Sequence, residues 1–157
     1  LSDVVGPDGD PIGNAFVSEF RKGGVVSQSG YHWTDLDEGE LAAMGLFDAV
    51  IGNQDRHDKN AMVEIIDDNP HLIAIDHGLA FPSSNSEAWG NYQAMESRSA
   101  DLDDKEVEGL ERLLGQRSAA TIRLSEYISS NEIDAMWERV ETMVETRMVE
   151  TPSGVYL

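Results

Sequence analysis

A polar stretch, Gly52-Asn53-Gln54-Asp55-Arg56-His57-Asp58-Lys59-Asn60, lies between two apolar segments of different period, and no other feature constrains the fold of this chain as much. Before it, Leu41, Met44, Phe47, Val50 and Ile51 recur at helical spacing behind the acidic pair Asp37 and Glu38. That periodicity predicts a helix from Glu40 onward despite Gly39 and Gly45, because carboxylates favour the positive end of a helix dipole. After it, Ala61-Met62-Val63-Glu64-Ile65-Ile66 and Leu72-Ile73-Ala74-Ile75 flank Asp67-Asp68-Asn69-Pro70. Two β-rich runs of that length joined by turn-forming residues predict a hairpin. A second polar group, Asp76-His77-Gly78, follows the hairpin directly.

Elsewhere the signals are local. Turn-forming residues at Pro7 to Pro11 and Lys22 to Gly24 bracket Ala15 to Phe20, which predicts a short strand there. Residues 25–38 lack a period and predict a loop or a short irregular element. Residues 80–101, with Pro82, Gly90 and several Ser and Asn, predict a long loop. The remainder reads as helical. Asp103 and Glu106 form a capping box ahead of Val107, Leu110, Leu113 and Leu114, with Gly115 as the stop, and a second short helix is expected over residues 118–128. Ser129 and Glu132 cap a last helix whose face of Ile133, Met136, Trp137, Val140, Met143, Val144 and Met148 is expected to be core. The class is therefore α+β, mainly helical with one short β-hairpin.

Composition narrows the partners. The 157 residues, 40% of them hydrophobic, suffice to bury one core, which predicts a single domain over residues 1–157. No apolar run approaches the ~18–20 residues that cross a bilayer, and no charged-then-apolar leader opens the chain, so a cytoplasmic protein is expected. Cysteine is absent, which removes disulfides and thiolate metal sites and fits a reducing compartment. Eleven Lys and Arg against thirty Asp and Glu give a formal charge of −19. Such a charge repels polyphosphate over a Debye length of ~10 Å and excludes nucleic acid as a partner. It also disfavours anionic membrane surfaces, and otherwise reads as a solvated acidic face.

The two polar clusters carry the chemistry. Phosphoryl transfer from a nucleotide needs Mg²⁺ on the phosphates, a carboxylate to orient the incoming hydroxyl, and positive charge for the transferring group. In the protein-kinase arrangement a catalytic-loop Asp precedes a metal-binding Asn by five residues, and a second metal-binding Asp lies further on. Asp55 and Asn60 have that spacing, and Asp76 follows the expected hairpin. An isolated Asp-Arg-His would mean little, since such pairs commonly stabilise loops; the joint occurrence carries the weight. His57 and His77 read equally as structural or functional, His32 and His71 as loop or surface residues, and Trp89 and Tyr92 as packing or pocket lining. A metal-dependent phosphohydrolase is the rival chemistry, and it would place His57-Asp58 on a helix of an all-helical bundle with further His and Asp ligands. A pseudokinase or interaction module would keep the fold and transfer nothing.

Asp55-Arg56-His57-x-x-Asn60 resembles the catalytic loop of phosphatidylinositol 3/4-kinases. Ile75-Asp76-His77-Gly78-Leu79-Ala80-Phe81-Pro82 is similar to the metal-binding segment of type II phosphatidylinositol 4-kinases. Met44 to Asn53 resembles the helix leading into the catalytic loop in those enzymes and their bacterial relatives, and Phe16-Val17-Ser18-Glu19-Phe20 resembles the hinge strand that meets adenine. The resemblance covers roughly residues 14 to 90 and implies a kinase-like C-lobe. It implies Asp55 as the base that orients the hydroxyl, Asn60 and Asp76 as ligands of Mg²⁺ or Mn²⁺, and the backbone of Val17, Ser18, Glu19 and Phe20 as the ATP contact. Arg56, His57 and Lys59 are the implied phosphate contacts. The chain departs from the type II pattern at His57, where Gly is usual, and at His77, where Phe is common.

The implied reaction is ATP-dependent transfer to a hydroxyl of a lipid, protein or small molecule. Nothing before Phe16 supplies the Gly-rich loop and phosphate-binding Lys of an N-lobe, and the first residue is Leu. A longer parent chain is therefore expected to provide that lobe, with the isolated chain nearly inactive, because positioning and electrostatics supply most of the catalysis.

Overall fold

The computed structural model describes residues 2–5, 11–15, 22–85, 101–151 and 154–155. Two strands, β1 (Ser2–Val5) and β2 (Pro11–Ala15), pair antiparallel. Of the strand expected over residues 15–20 only Ala15, the last residue of β2, is described, and residues 16–20 fall outside the described residues. A second sheet has the order β3-β4-β5, all antiparallel, from β3 (Gly24–Val25), β4 (Ala61–Ile66) and β5 (Asn69–Ala74). Between β3 and β4 run the short α1 (Val26–Ser29), a 3-10 turn (Trp33–Asp35) and α2 (Glu38–Ile51). Helices α3 (Asp104–Gly115), α4 (Arg117–Leu124) and α5 (Ser130–Thr146) follow, then the paired strands β6 (Glu150–Thr151) and β7 (Gly154–Val155). The class is α+β, as the two periodicities require.

The expected hairpin is β4-β5, with one adjustment. Its turn is the two residues Asp67 and Asp68, at φ 51° and 64°, while Asn69 and Pro70 already belong to β5 and pair with Ile66 and Ile65. Paired left-handed residues match the twist of a tight hairpin, and Asp tolerates that region better than most side chains. Pro70 is tolerated because β5 is an edge strand, where a missing N–H leaves no ladder partner wanting.

One face of the hairpin packs on α2. Val26, Leu36, Leu41, Met44, Ala61 and Val63 form a buried cluster that Tyr31, Trp33, Leu72 and Ala74 extend. Helix α2 begins where Asp37 accepts the Glu40 N–H at 3.0 Å, a cap of ~1 kcal/mol. The Glu40 carboxylate then reaches across to β5, meeting His71 Nδ1 at 2.6 Å and accepting the Leu72 N–H at 2.8 Å. His71, expected as a surface residue, is thus one of two tethers between helix and hairpin.

The second core lies under the last helices. Leu102, Val107, Leu110, Ile133, Met136, Trp137, Val140, Met143 and Val149 are buried together with Ala49 of α2. The Met and Trp stripe of α5 is therefore core, and the Trp137 indole N–H still finds Thr121 Oγ1 at 2.9 Å. Met148 lies beyond the helix and bridges to Asp101. Both expected capping boxes are present, at Asp103 with Glu106 and at Ser129 with Glu132. The Ser129 hydroxyl, with its backbone N–H, holds the Glu132 carboxyl below its usual range. Helix α3 stops at Gly115 as expected, but without a left-handed glycine cap: Gln116 caps it at φ −101°, ψ 7°, leading directly into α4. The second short helix correspondingly starts at Arg117 and ends at Leu124.

Candidate functional site

Asp48 sits on the buried stripe of α2, two helical turns after Leu41 and beside Met44, Gly45, Ala49 and Ile51. A carboxylate with no exposed surface there requires a partner, and Arg56 supplies it. Arg56 Nε donates to Asp48 Oδ2 at 2.8 Å and Nη2 to Asp48 Oδ1 at 2.9 Å, a bidentate pair with both side chains fully buried. Asn53, also buried, donates from Nδ2 to Asp48 Oδ1 at 2.9 Å, and its own Oδ1 accepts the Asp55 N–H at 3.3 Å. The polar stretch is thus wrapped around an ion pair rooted in the preceding helix.

The remaining donor group of Arg56 joins the two polar clusters. Nη1 donates to the carbonyl of Asn60 and, at 2.7 Å, to the carbonyl of Ile75. The Ile75 N–H in turn donates to Asn60 O at 3.1 Å, continuing the ladder one step beyond the Ala61 and Ala74 pair. Asp76 therefore leaves the sheet directly opposite the end of the polar stretch. Arg56 was expected to meet phosphate oxygens, and its burial corrects that expectation: a guanidinium without exposed surface, holding four protein acceptors, presents nothing to an incoming anion.

A second set of contacts runs alongside. Gly52 caps α2 at φ 64°, where an added Cβ would lie 2.7 Å from Pro82 Cδ and 2.9 Å from Arg139 Nη2. The Phe81 N–H donates to Ile51 O at 2.6 Å and the Gln54 N–H to Leu79 O at 3.1 Å. Arg139 of α5, buried, donates from Nη2 to Val50 O at 3.2 Å and from Nη1 to Asn85 Oδ1 at 2.6 Å. The segment following Asp76 is therefore fastened to the residues that lead into the polar stretch. Asp76 and Phe81 adopt φ of 53° and 58°, and a bulky residue in that region costs of order 1–3 kcal/mol unless its surroundings hold it there.

Within this frame the partly exposed side chains of Asp55 and His57 meet the buried Asn60. Asn60 Nδ2 lies 2.8 Å from the Asp55 carbonyl oxygen and 3.2 Å from Asp55 Oδ2. Both of those atoms are acceptors, so the amide nitrogen must face them and the amide oxygen is left for another partner. His57 lies on the other side, with Nε2 3.6 Å from Asp55 Oδ1 and Nδ1 3.9 Å from Asp58 Oδ1. The Lys59 N–H donates to His57 Nδ1 at 3.1 Å, which places the proton of the neutral ring on Nε2, toward Asp55. Lys59 itself is exposed. Asp76 Oδ1 accepts the Gly78 N–H at 3.3 Å.

His77 stacks edge-on against Phe47 of α2, centroids 5.4 Å apart at 89°. Desolvation pushes its pKa down, and the Arg56 charge adds to the effect against the opposing pull of Asp48 and Asp76. The structure thus brings together Asp55, His57 and Asn60, and Asp76 directly follows Ile75, whose N–H donates to the Asn60 carbonyl. Val17, Ser18, Glu19 and Phe20 lie outside the described residues, as do Trp89 and Tyr92.

Sequence reasoning missed Asp48, Asn53 and Arg139. The signal for Asp48 was present: it occupies an apolar-stripe position of a predicted helix, where a charge is a demand for a partner. Arg139 carried the same signal on α5, whereas nothing local marks Asn53. The arrangement does not suit the hydrolase chemistry. His57 and Asp58 lie in a loop between a helix and a strand, and among the described residues no three His, Cys, Asp or Glu side chains converge on one point.

Comparison with known proteins identifies the family. A family model of phosphatidylinositol 3- and 4-kinases matches residues 10–98, more than half of the chain. No curated protein matches it. Both polar clusters and the hairpin between them fall inside the matched span, and the chain belongs to the phosphatidylinositol 3- and 4-kinase family.

Proposed function

We propose that the chain is a kinase-like C-lobe whose two loops carry ATP-dependent phosphoryl transfer to a hydroxyl acceptor. The supporting observation is the Arg56 guanidinium, which donates to the carbonyls of Asn60 and Ile75 and so holds the end of one loop against the start of the other. Asn60 and Asp76 are the residues that would hold Mg²⁺. Their oxygen donors suit a hard cation that takes one or two carboxylate-type ligands and completes its shell with water and phosphate oxygens. Held there, the ion would supply positive charge to offset that of the phosphates during transfer.

Asp55 accepts the acceptor's hydroxyl proton as that oxygen bonds to phosphorus and the bond to the leaving diphosphate breaks. Asn60 Nδ2 and His57 Nε2 flank its two carboxylate oxygens, so the base is held from both sides. Arg56 positions the loops from within, and exposed Lys59 is the cation left to meet phosphate. Adenine contacts at Val17, Ser18, Glu19 and Phe20, and a Gly-rich loop from an N-lobe in a longer parent, complete this reading. The type II likeness of Ile75 to Pro82 belongs to it as well.

The test is a transfer assay with γ-labelled ATP and Mg²⁺ on the protein carrying this segment together with its ATP-binding lobe. Label should move to a hydroxyl acceptor, and Asp55→Asn should lower the rate by about 10²–10⁴-fold. Undiminished transfer by Asp55→Asn would remove Asp55 from the chemistry. No transfer by the unmodified protein would favour the non-catalytic reading.

A further inference from the structure

Beside the polar stretch, on the side of α1, lies a cavity of about 330 Å³ lined by Val26, Ser27, Tyr31, His32, Trp33 and Asp58, with Gly30 at its edge. Its wall is fixed to the loop that carries Asp55, because the Ser27 N–H donates to the Asp58 carbonyl at 3.1 Å. Tyr31 and Trp33 are half-buried, packed on the cluster of Val26, Leu36 and Leu41 as well as lining the cavity. Asp58 and Asp55 stand on opposite sides of one imidazole, that of His57, at 3.9 and 3.6 Å. The cavity thus lies against the loop that carries Asp55, with Asp58, three residues further along that loop, in its wall.

We propose that this cavity binds the acceptor, and that the acceptor is a small hydroxyl-bearing molecule with a positive charge, an amino alcohol or amino sugar. This rests on the phosphotransfer reading above and names its substrate class. The lining holds a carboxylate and aromatic rings but no Lys or Arg. An anionic headgroup would need basic side chains there. A cation finds a charge-assisted partner in Asp58 and ring faces in Tyr31 and Trp33. The chain's formal charge of −19 draws the same class of molecule toward the site. The volume suits a small metabolite, at the low end of the ~300–1,000 Å³ of ligand sites.

The experiment is a calorimetric titration of the full-length protein with choline, ethanolamine and the neutral carbon isostere of choline, run beside the labelled-ATP assay. The cations should bind about tenfold more tightly than the isostere, the worth of one charge-assisted contact. Asp58→Asn should erase that preference, Trp33→Leu should weaken both cations, and Asp55→Asn should leave binding intact while transfer is lost. Equal binding of cation and isostere, or a preference that survives Asp58→Asn, overturns the assignment even if transfer to another acceptor is found. Cation preference without any phosphorylated product leaves the cavity assignment standing and refutes the phosphotransfer reading instead.

Discussion

The guanidinium of Arg56 lies flat against the carboxylate of Asp48, bonded at 2.8 and 2.9 Å, with neither side chain reaching solvent. The pair joins a helix to a loop, and the same guanidinium extends to the carbonyls of Asn60 and Ile75. Removing one partner leaves a buried charge unpaired. Asp48→Asn or Arg56→Met should each lower stability by about 3–5 kcal/mol in urea unfolding. The double substitution Asp48→Leu with Arg56→Met should recover much of that stability without restoring the ties to Asn60 and Ile75. A double variant no more stable than the singles would show that the loop contacts, not the ion pair, dominate.

Gly52 combines a left-handed backbone with close neighbours. At φ 64° with Pro82 and Arg139 within 2.7 and 2.9 Å of a would-be Cβ, Gly52→Ala combines backbone strain with a clash against a buried guanidinium. We expect a loss of about 2–4 kcal/mol, from overpacking plus the left-handed penalty. Gly30, at φ 84° with nothing near its Cβ position, is the control: Gly30→Ala should show the backbone cost alone, about 1 kcal/mol. Equal losses at the two positions would mean that the Pro82 and Arg139 contacts give way freely.

The Glu40 carboxylate holds both His71 and the Leu72 amide. Glu40→Ala should destabilise by about 1–2 kcal/mol and should selectively speed hydrogen exchange at the Leu72 amide. Unchanged exchange at Leu72 would refute the tether.

His77 makes stability pH-dependent with a definite sign. Its folded pKa lies below the unfolded value, chiefly through desolvation and then the Arg56 charge. Between those two values the unfolded chain binds more protons, so stability rises with pH in that window. The stabilising preference for the neutral ring is full above about pH 6.5, the unfolded value, and is lost as pH falls toward the lowered folded pKa. Unfolding midpoints taken across this range should show that slope, and His77→Phe, which keeps an aromatic partner for Phe47, should flatten it. An unaltered slope in His77→Phe would assign the dependence to another group.

Much of this was legible in the sequence for reasons that are local. Helical spacing from Leu41 to Ile51, the period change at Ala61 and the Asp-rich turn specify α2 and the hairpin, because amphipathic period and turn chemistry act within a few residues. Asp55, Asn60 and Asp76 were marked by spacing, by the hairpin and by the family resemblance, and the capping boxes at Asp103 and Ser129 formed as their side chains dictate. Arg56 shows the limit. In sequence it stands among exposed polar residues and reads as a phosphate contact, yet it is fully buried. Asp48, eight residues earlier, draws it inward, since a carboxylate inside a core is tolerable only when paired.

Tertiary structure alone decided the rest. Arg139 reaches Val50 across 89 residues, Glu40 reaches Leu72 across 32, and the cavity beside Asp58 exists only because α1 folds back onto the loop. Local propensity selects the elements and places chemistry at their ends. Which buried charge meets which partner is decided by the desolvation cost that packing imposes, and that cost arises only when distant segments close over the same site.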